Sequence, residues 1–293
     1  MYHIFENKCF DQNKNQLIGH ITTEHISYSQ LKLDNVQITK VDTILLFQNR
    51  WDGNFRHFMI ETFHLLSCLF STNVDKSNIK IMIDKNYYKH SYQILEILKL
   101  TNKIIFKEPN HLYQCNHLIW SNTTIQFNNP DYKCLLETLI TNSKQMSNIP
   151  YYDNIYLSRE HIDIVTEHHT PKRWITNIDE VTPIFYQHNY HKVRVDNLDF
   201  WDQVVIINNA KNIITFIGAN CENISFTNNQ SKFSIIYAPN QFWWANQYSY
   251  SNCLHKIQCS NKDNIEIDKR NWKDGEHLNG PYKVNIEMLK TQI

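Results

Sequence analysis

Asn212 to Pro239 reads NIITFIGANCENISFTNNQSKFSIIYAP. An apolar run (Ile213, Ile214, Phe216, Ile217) ends at Gly218-Ala219-Asn220, a polar segment follows, and a second apolar run from Phe233 to Ala238 closes at Pro239. That order predicts strand, tight turn, short helix, strand, which is one βαβ unit. A small-residue turn at a strand's carboxyl end lets a ligand approach the backbone, and the helix after it aims free N–H groups at an anion. The chain has only 5 glycines, so one placed here marks a backbone position that matters. A bound phosphate is expected at Gly218, Ala219 and Asn220, with Asn220 as N-cap of the short helix.

The pattern extends in both directions. Val41–Phe47, Lys80–Ile83, Lys103–Phe106 and Leu112–Trp120 read as strands; Asn54–Phe70, Tyr87–Leu100 and Asp131–Met146 read as amphipathic helices. Around Asn148 to Tyr151 the pattern breaks, and an inter-domain link is expected there. It then resumes with a strand at Ile155–Leu157, a helix at Ile178–His188, a strand at Lys192–Val195 and a helix at Phe200–Asn209. Strands alternating with helices indicate parallel, helix-covered sheets. The expected fold class is α/β: two units in tandem with a cleft between their sheet edges, and ligands beyond the strands' carboxyl ends. The expected divisions are 1–150, 151–265 and a tail, 266–293, whose segment Val284–Leu289 packs back as a helix.

At 293 residues, 42% hydrophobic and 13% aromatic, the chain has ample material for a core. Lys plus Arg equals Asp plus Glu at 29 each, which argues against nucleic acid as the main partner. No apolar run is long enough for a membrane span. The opening MYHIFENKCFDQ lacks the basic start and apolar middle of a secretory signal, and 7 scattered cysteines without C-x-x-C spacing read as reduced thiols. A cytoplasmic setting is therefore expected. The Asn-, Ile- and Lys-rich composition suits an AT-rich genome, such as that of a bacterium or of a large DNA virus in its host's cytoplasm.

Titratable residues narrow the chemistry. His57, Glu61 and His64 fall at i, i+4 and i+7, so all three project from one helix face. A local surface pair, a metal site and a general base with an orienting partner each fit that stripe. The spacing is not that of the His-Glu-x-x-His metalloproteases. Arg159 follows the strand that ends at Ser158, where a guanidinium suits a phosphate bidentately. Arg173 either joins it or pairs with Asp179 and Glu180. Gln203 and Asn223 are polar but uncharged. Trp243 and Trp244 offer either a sugar-stacking platform or a buried interface pair.

These pieces resemble the family 61 glycosyltransferases, which include plant xylan xylosyl- and arabinosyltransferases and O-linked GlcNAc transferases. The early block is carried by Asn54-Phe55-Arg56-His57-Phe58 and Glu61. The middle is carried by Tyr156-Leu157-Ser158-Arg159, by Arg173 and by Asn177 to Glu180; next come Leu198 to Gln203 and the late block Thr215 to Phe226. Three positions depart from the late block: Ile217 stands where a His is usual, and Thr215 and Asn220 stand where Gly is usual. The resemblance implies a GT-B-like architecture, two Rossmann-like domains facing a central cleft, and an inverting reaction that needs no metal or other cofactor. A nucleotide-sugar, UDP-linked first among the candidates, would be the donor, and a glycan or protein-linked glycan the acceptor. On that reading Arg159, Arg173, Gln203, Gly218, Ala219, Asn220 and Asn223 hold the diphosphate. Glu61 removes the acceptor's proton with His57 as partner, and Asn54, Trp243 and Trp244 contact acceptor or sugar. A homodimer is compatible with it. The alternatives are a catalytically degenerate carbohydrate- or nucleotide-binding protein of the same fold and a metal-dependent hydrolase.

Overall fold

The computed structural model describes residues 1–5, 8–16, 29, 31, 35–47, 55–72, 75–84, 90–120, 128–158, 175–238, 241–258 and 283–293. Arg159, Arg173 and Asn54 lie outside the described residues. The chain divides into two compact units, Met1–Met146 and Ser147–Ile293. Each is a mixed α/β structure built on a sheet of mostly or wholly parallel strands.

Unit 1 contains six strands: β1 (Tyr2–Phe5), β2 (Lys8–Phe10), β3 (Gln37–Leu46), β4 (Ile79–Ile83), β5 (Ile104–Phe106) and β6 (His111–Ile119). Their order across the sheet is β2-β1-β6-β3-β4-β5. β3 runs parallel to both β4 and β6, and β4 runs parallel to β5. These four give the order 3-2-1-4 of a Rossmann half, with the reversal between β3 and β6. The expectation of a purely parallel sheet is corrected at one edge, where the β1–β2 hairpin pairs antiparallel with β6. Two strands of 4 and 3 residues carry too little alternation to be read from sequence.

The helix expected over Asn54–Phe70 changes pitch twice. It is α-helical at α1 (Phe55–His57), π-helical over Phe58–Thr62 and 3₁₀ over Phe63–Leu69. Phe63 N–H reaches back to Phe58 O, five residues away. Aromatic packing holds this segment. Phe58 meets Phe47 edge-on at 5.4 Å between centroids, and Phe63 meets Tyr132 in the same manner at 6.1 Å. Tyr132 belongs to α3 (Pro130–Met146), which packs beside α2 (Ser91–Ile97).

Unit 2 has a wholly parallel five-stranded sheet: β7 (Asn154–Leu157), β8 (His191–Val193), β9 (Asn212–Phe216), β10 (Lys232–Tyr237) and β11 (Leu254–Gln258). The spatial order β8-β7-β9-β10-β11 is the doubly wound order 2-1-3-4-5. β9 and β10 are buried at nearly every position, which explains their unbroken apolar runs. α4 (Ile178–Gln187) and α5 (Phe200–Asn209) form as the apolar spacing predicts. β11 and α6 (Phe242–Asn246) were not legible in the sequence, because their apolar residues are few and interrupted.

α7 (Ile286–Lys290) closes the chain, and Val284 and Leu289 enter the same core as Tyr156, Phe185 and Phe216. The buried side chain of Asn177 acts as the clasp. It donates to Val284 O at 3.0 Å and accepts from Val284 N–H at 2.9 Å, imitating a strand partner. Among the described residues no helix is long and apolar enough to cross a membrane.

Replacing Asn177 by Ala strands both backbone groups of Val284, each costing about 1–3 kcal/mol when buried without a partner. Urea unfolding of Asn177→Ala should show a stability loss of roughly 2–4 kcal/mol. A loss under about 0.5 kcal/mol would mean that the clasp is not what seats the tail.

Candidate functional site

In unit 2 the strand order reverses between β7 and β9. Crossovers leave these two strands in opposite directions, and a reversal of this kind is where doubly wound folds place a ligand, beyond the strands' carboxyl ends. Ser158 stands at the end of β7, and Gly218-Ala219-Asn220 at the end of β9. Asn220 Nδ2 donates to Ser158 O at 3.4 Å, and Ser158 N–H donates to Val193 O at 2.9 Å, so three strand ends meet here.

Gly218 adopts φ 155°, ψ −163°. A Cβ is disfavoured in that region, which is why glycine occupies the corner. The chain then turns into a 3₁₀ helix, Ala219–Phe226, whose first bond runs from Cys221 N–H to Gly218 O. The N-cap position falls on Gly218, with no side-chain cap. The expectation of Asn220 as N-cap is corrected: Asn220 lies inside the helix, its amide bridging to β7.

α5 buttresses this helix from behind. Gln203 Nε2 donates to Asn223 Oδ1 at 2.7 Å, and Asn223 Nδ2 donates to Asn220 O at 3.0 Å. Gln203 and Asn223 are both buried. Phe200 packs edge-on against Phe226 at 5.7 Å, and Asn208 Nδ2 donates to Phe226 O at 2.8 Å. Buried amides that satisfy one another fix a single geometry. Ile217, at the position where the resemblance would place a His, is buried and apolar.

Two groups at this edge escaped the sequence reading. Arg194, directly after β8, is exposed and pairs through Nη2 with Asp196 Oδ2 at 3.1 Å. Among the described residues of unit 2 it is the one arginine; its only sequence signal was a basic residue closing a short strand. Glu222, in the 3₁₀ helix, is 1% exposed and accepts from Tyr248 Oη at 2.6 Å. Trp243, on α6, is 67% exposed, whereas Trp244 is half-buried. An interface pair buried together is therefore not what these two form within unit 2.

In unit 1 the comparable position follows β3, at the reversal between β3 and β6. Here His57 Nδ1 and Glu61 Oε1 lie 2.5 Å apart. Glu61 is 5% exposed and His57 28%. A carboxylate that deep in apolar packing requires a partner, and the imidazole supplies it. The pair therefore has a buried acidic member and a solvent-facing basic one. Glu61 sits in the π-helical turn, a deviation found frequently at functional sites. Among the described residues no three His, Cys, Asp or Glu side chains gather as a metal-binding group, so His64 does not complete a triad with this pair.

Of the described thiols, Cys9, Cys115, Cys221 and Cys253 are buried packing groups. Burial pushes Cys9 up to about 12 and Cys68 and Cys115 up to about 11, far from the thiolate range. All six described cysteines are free.

Two sheets of mostly or wholly parallel strands, each with a strand-order reversal, define a mixed α/β protein of the Rossmann-like type. The family model described as Glycosyltransferase 61 matches residues 55–234, more than half of the chain. The chain belongs to that family, and is accordingly a glycosyltransferase acting between a sugar donor and an acceptor. No curated protein matches it.

Gly218→Ala forces a Cβ into a glycine-only conformation and should cost about 1–3 kcal/mol. Thermal unfolding should register it as a lowered midpoint. An unchanged midpoint would show that the corner tolerates a side chain and is not fixed by backbone conformation.

Proposed function

We propose that this chain is an inverting, metal-independent glycosyltransferase of the GT-B type, using a nucleotide-sugar, UDP-linked by preference, and a glycan or protein-linked glycan acceptor. The observation that carries the reading is the junction of Ser158, Gly218 and Asn220 at the strand-order reversal of unit 2, within a family 61 sequence. A diphosphate at that edge would meet backbone N–H groups from the start of the 3₁₀ helix. Arg159, one residue beyond Ser158, and Arg173 would supply the positive charge that offsets the leaving group. Gln203 and Asn223 would act mainly by holding the turn, since each has an amide bond committed within the buttress.

In unit 1 the Glu61–His57 pair would accept the acceptor hydroxyl's proton as its oxygen attacks the anomeric carbon. The carbon–oxygen bond to the nucleotide breaks as the new one forms on the opposite face, inverting the centre. Glu61 would be the base, with His57, the more exposed member of the pair, as its partner. Asn54, Trp243 and Trp244 are assigned to acceptor or sugar contact.

A second reading has a specific observation behind it. Ile217 puts a buried methyl-bearing chain where the family's late block usually carries an imidazole, which favours a binding protein that has lost turnover.

A panel of UDP-, GDP- and dTDP-sugars should contain one that raises the melting temperature, by linkage to donor binding. Glu61→Gln should lower turnover by about 10²-fold or more with donor affinity unchanged. Arg159→Ala should weaken donor binding by roughly 1.5–3 kcal/mol in calorimetry. Turnover that persists undiminished in EDTA is expected; abolition by EDTA would reject the metal-free mechanism. Donor binding without transfer or donor hydrolysis would select the binding-protein reading.

A further inference from the structure

α6 is five residues long, too short to persist on its own. Buried polar clasps hold it on both sides. Before it, the Gln241 side chain accepts from Ala238 N–H at 3.0 Å, and Gln241 N–H donates to Ala238 O at 2.8 Å, tying the segment to the end of β10. After it, Tyr248, 2% exposed, donates its hydroxyl to Glu222 at 2.6 Å. Glu222 lies directly between Cys221, whose N–H closes the turn on Gly218, and Asn223, which Gln203 holds.

Nevertheless, this doubly anchored helix leaves Phe242 49% and Trp243 67% exposed. Polar anchoring of that kind is not needed to bury an aromatic side chain. It is suited to presenting one, and an exposed indole face is a surface on which the apolar face of a sugar ring stacks. β9 and β10 are parallel neighbours, so the glycine corner and α6 leave the sheet at the same edge.

We propose that Glu222 and Tyr248 are positioning residues that fix α6 to the diphosphate turn, so that Trp243 forms the sugar-facing wall of the donor site. This rests on the donor reading of unit 2 given above. The pair itself touches no substrate. Its hydrogen bond sets the offset between the groups that hold the diphosphate and the ring that receives the sugar.

The test measures binding of UDP, UDP-xylose and UDP-N-acetylglucosamine by calorimetry to wild type and to Tyr248→Phe, Trp243→Ala and Glu222→Gln. Tyr248→Phe and Trp243→Ala should each weaken the better-bound UDP-sugar about tenfold, the scale of one lost aromatic contact, and leave UDP within about twofold. Glu222→Gln keeps an oxygen that accepts from Tyr248 and should bind the sugar nearly as wild type does. A purely structural pair would weaken UDP and UDP-sugar alike, and that result overturns the proposal. Equal UDP-sugar binding by wild type and Trp243→Ala also overturns it, and this exposed position leaves folding intact if Tyr248→Phe does not fold. A wild type that binds neither UDP nor the UDP-sugars removes the donor reading, and this pair's role with it. A wild type that binds them while Tyr248→Phe binds equally well removes the pair alone.

Discussion

The reversal of strand order between β7 and β9 is the constraint on which unit 2 depends. A right-handed crossover from β7 to β8 and another from β9 to β10 must leave in opposite directions. Folds of this kind place ligands at such a reversal, and the chain puts its glycine corner there, with Gly218 buried and Ala219 and Asn220 half-buried. Side chains need only stiffen what topology provides. The run from Gln203 through Asn223 and Asn220 to Ser158 does so with uncharged amides, which bury at lower cost than ions.

Unit 1 treats charge differently. Glu61 is carried into apolar surroundings beside the buried Phe58, Met59 and Phe63, and the imidazole one turn earlier serves it as a partner. Such an arrangement contributes little to stability when both members are present and is strongly destabilising when one is lost. The same reasoning applies to Glu222, whose carboxylate would be expensive to bury without the tyrosine hydroxyl.

Where burial is two-sided, the sequence was readable. β9 and β10 appear as continuous apolar runs because a parallel sheet covers both faces, and α4 and α5 show their helical spacing plainly. The short edge elements β1, β2, β11 and α6 were not, since three to five residues give no period to detect. At the candidate site, the contact of His57 with Glu61 follows from i, i+4 spacing alone. The contact of Gln203 with Asn223, 20 residues on, depends on how α5 docks and has no local signature. Glu222 was passed over because a charged residue in a polar segment reads as surface, and a partner 26 residues away has no local signature. Asn220 was misplaced as a cap because the corner's unusual backbone moved the start of the helix to Gly218.

A π-helical turn behaves as an α-helix that has accepted one extra residue. Each residue advances an α-helix by about 100°, so that single addition rotates everything beyond it by the same amount. The π turn thereby brings Phe58 and Phe63, five residues apart, onto neighbouring bearings, their ring centroids 6.3 Å apart. A shortening by one residue within 58–62 would return the helix to regular pitch. It would also swing either the acid or the ring anchors off their present bearing. The angular address of the acid is therefore encoded in residue count, a property that substitution leaves intact and that a one-residue deletion erases.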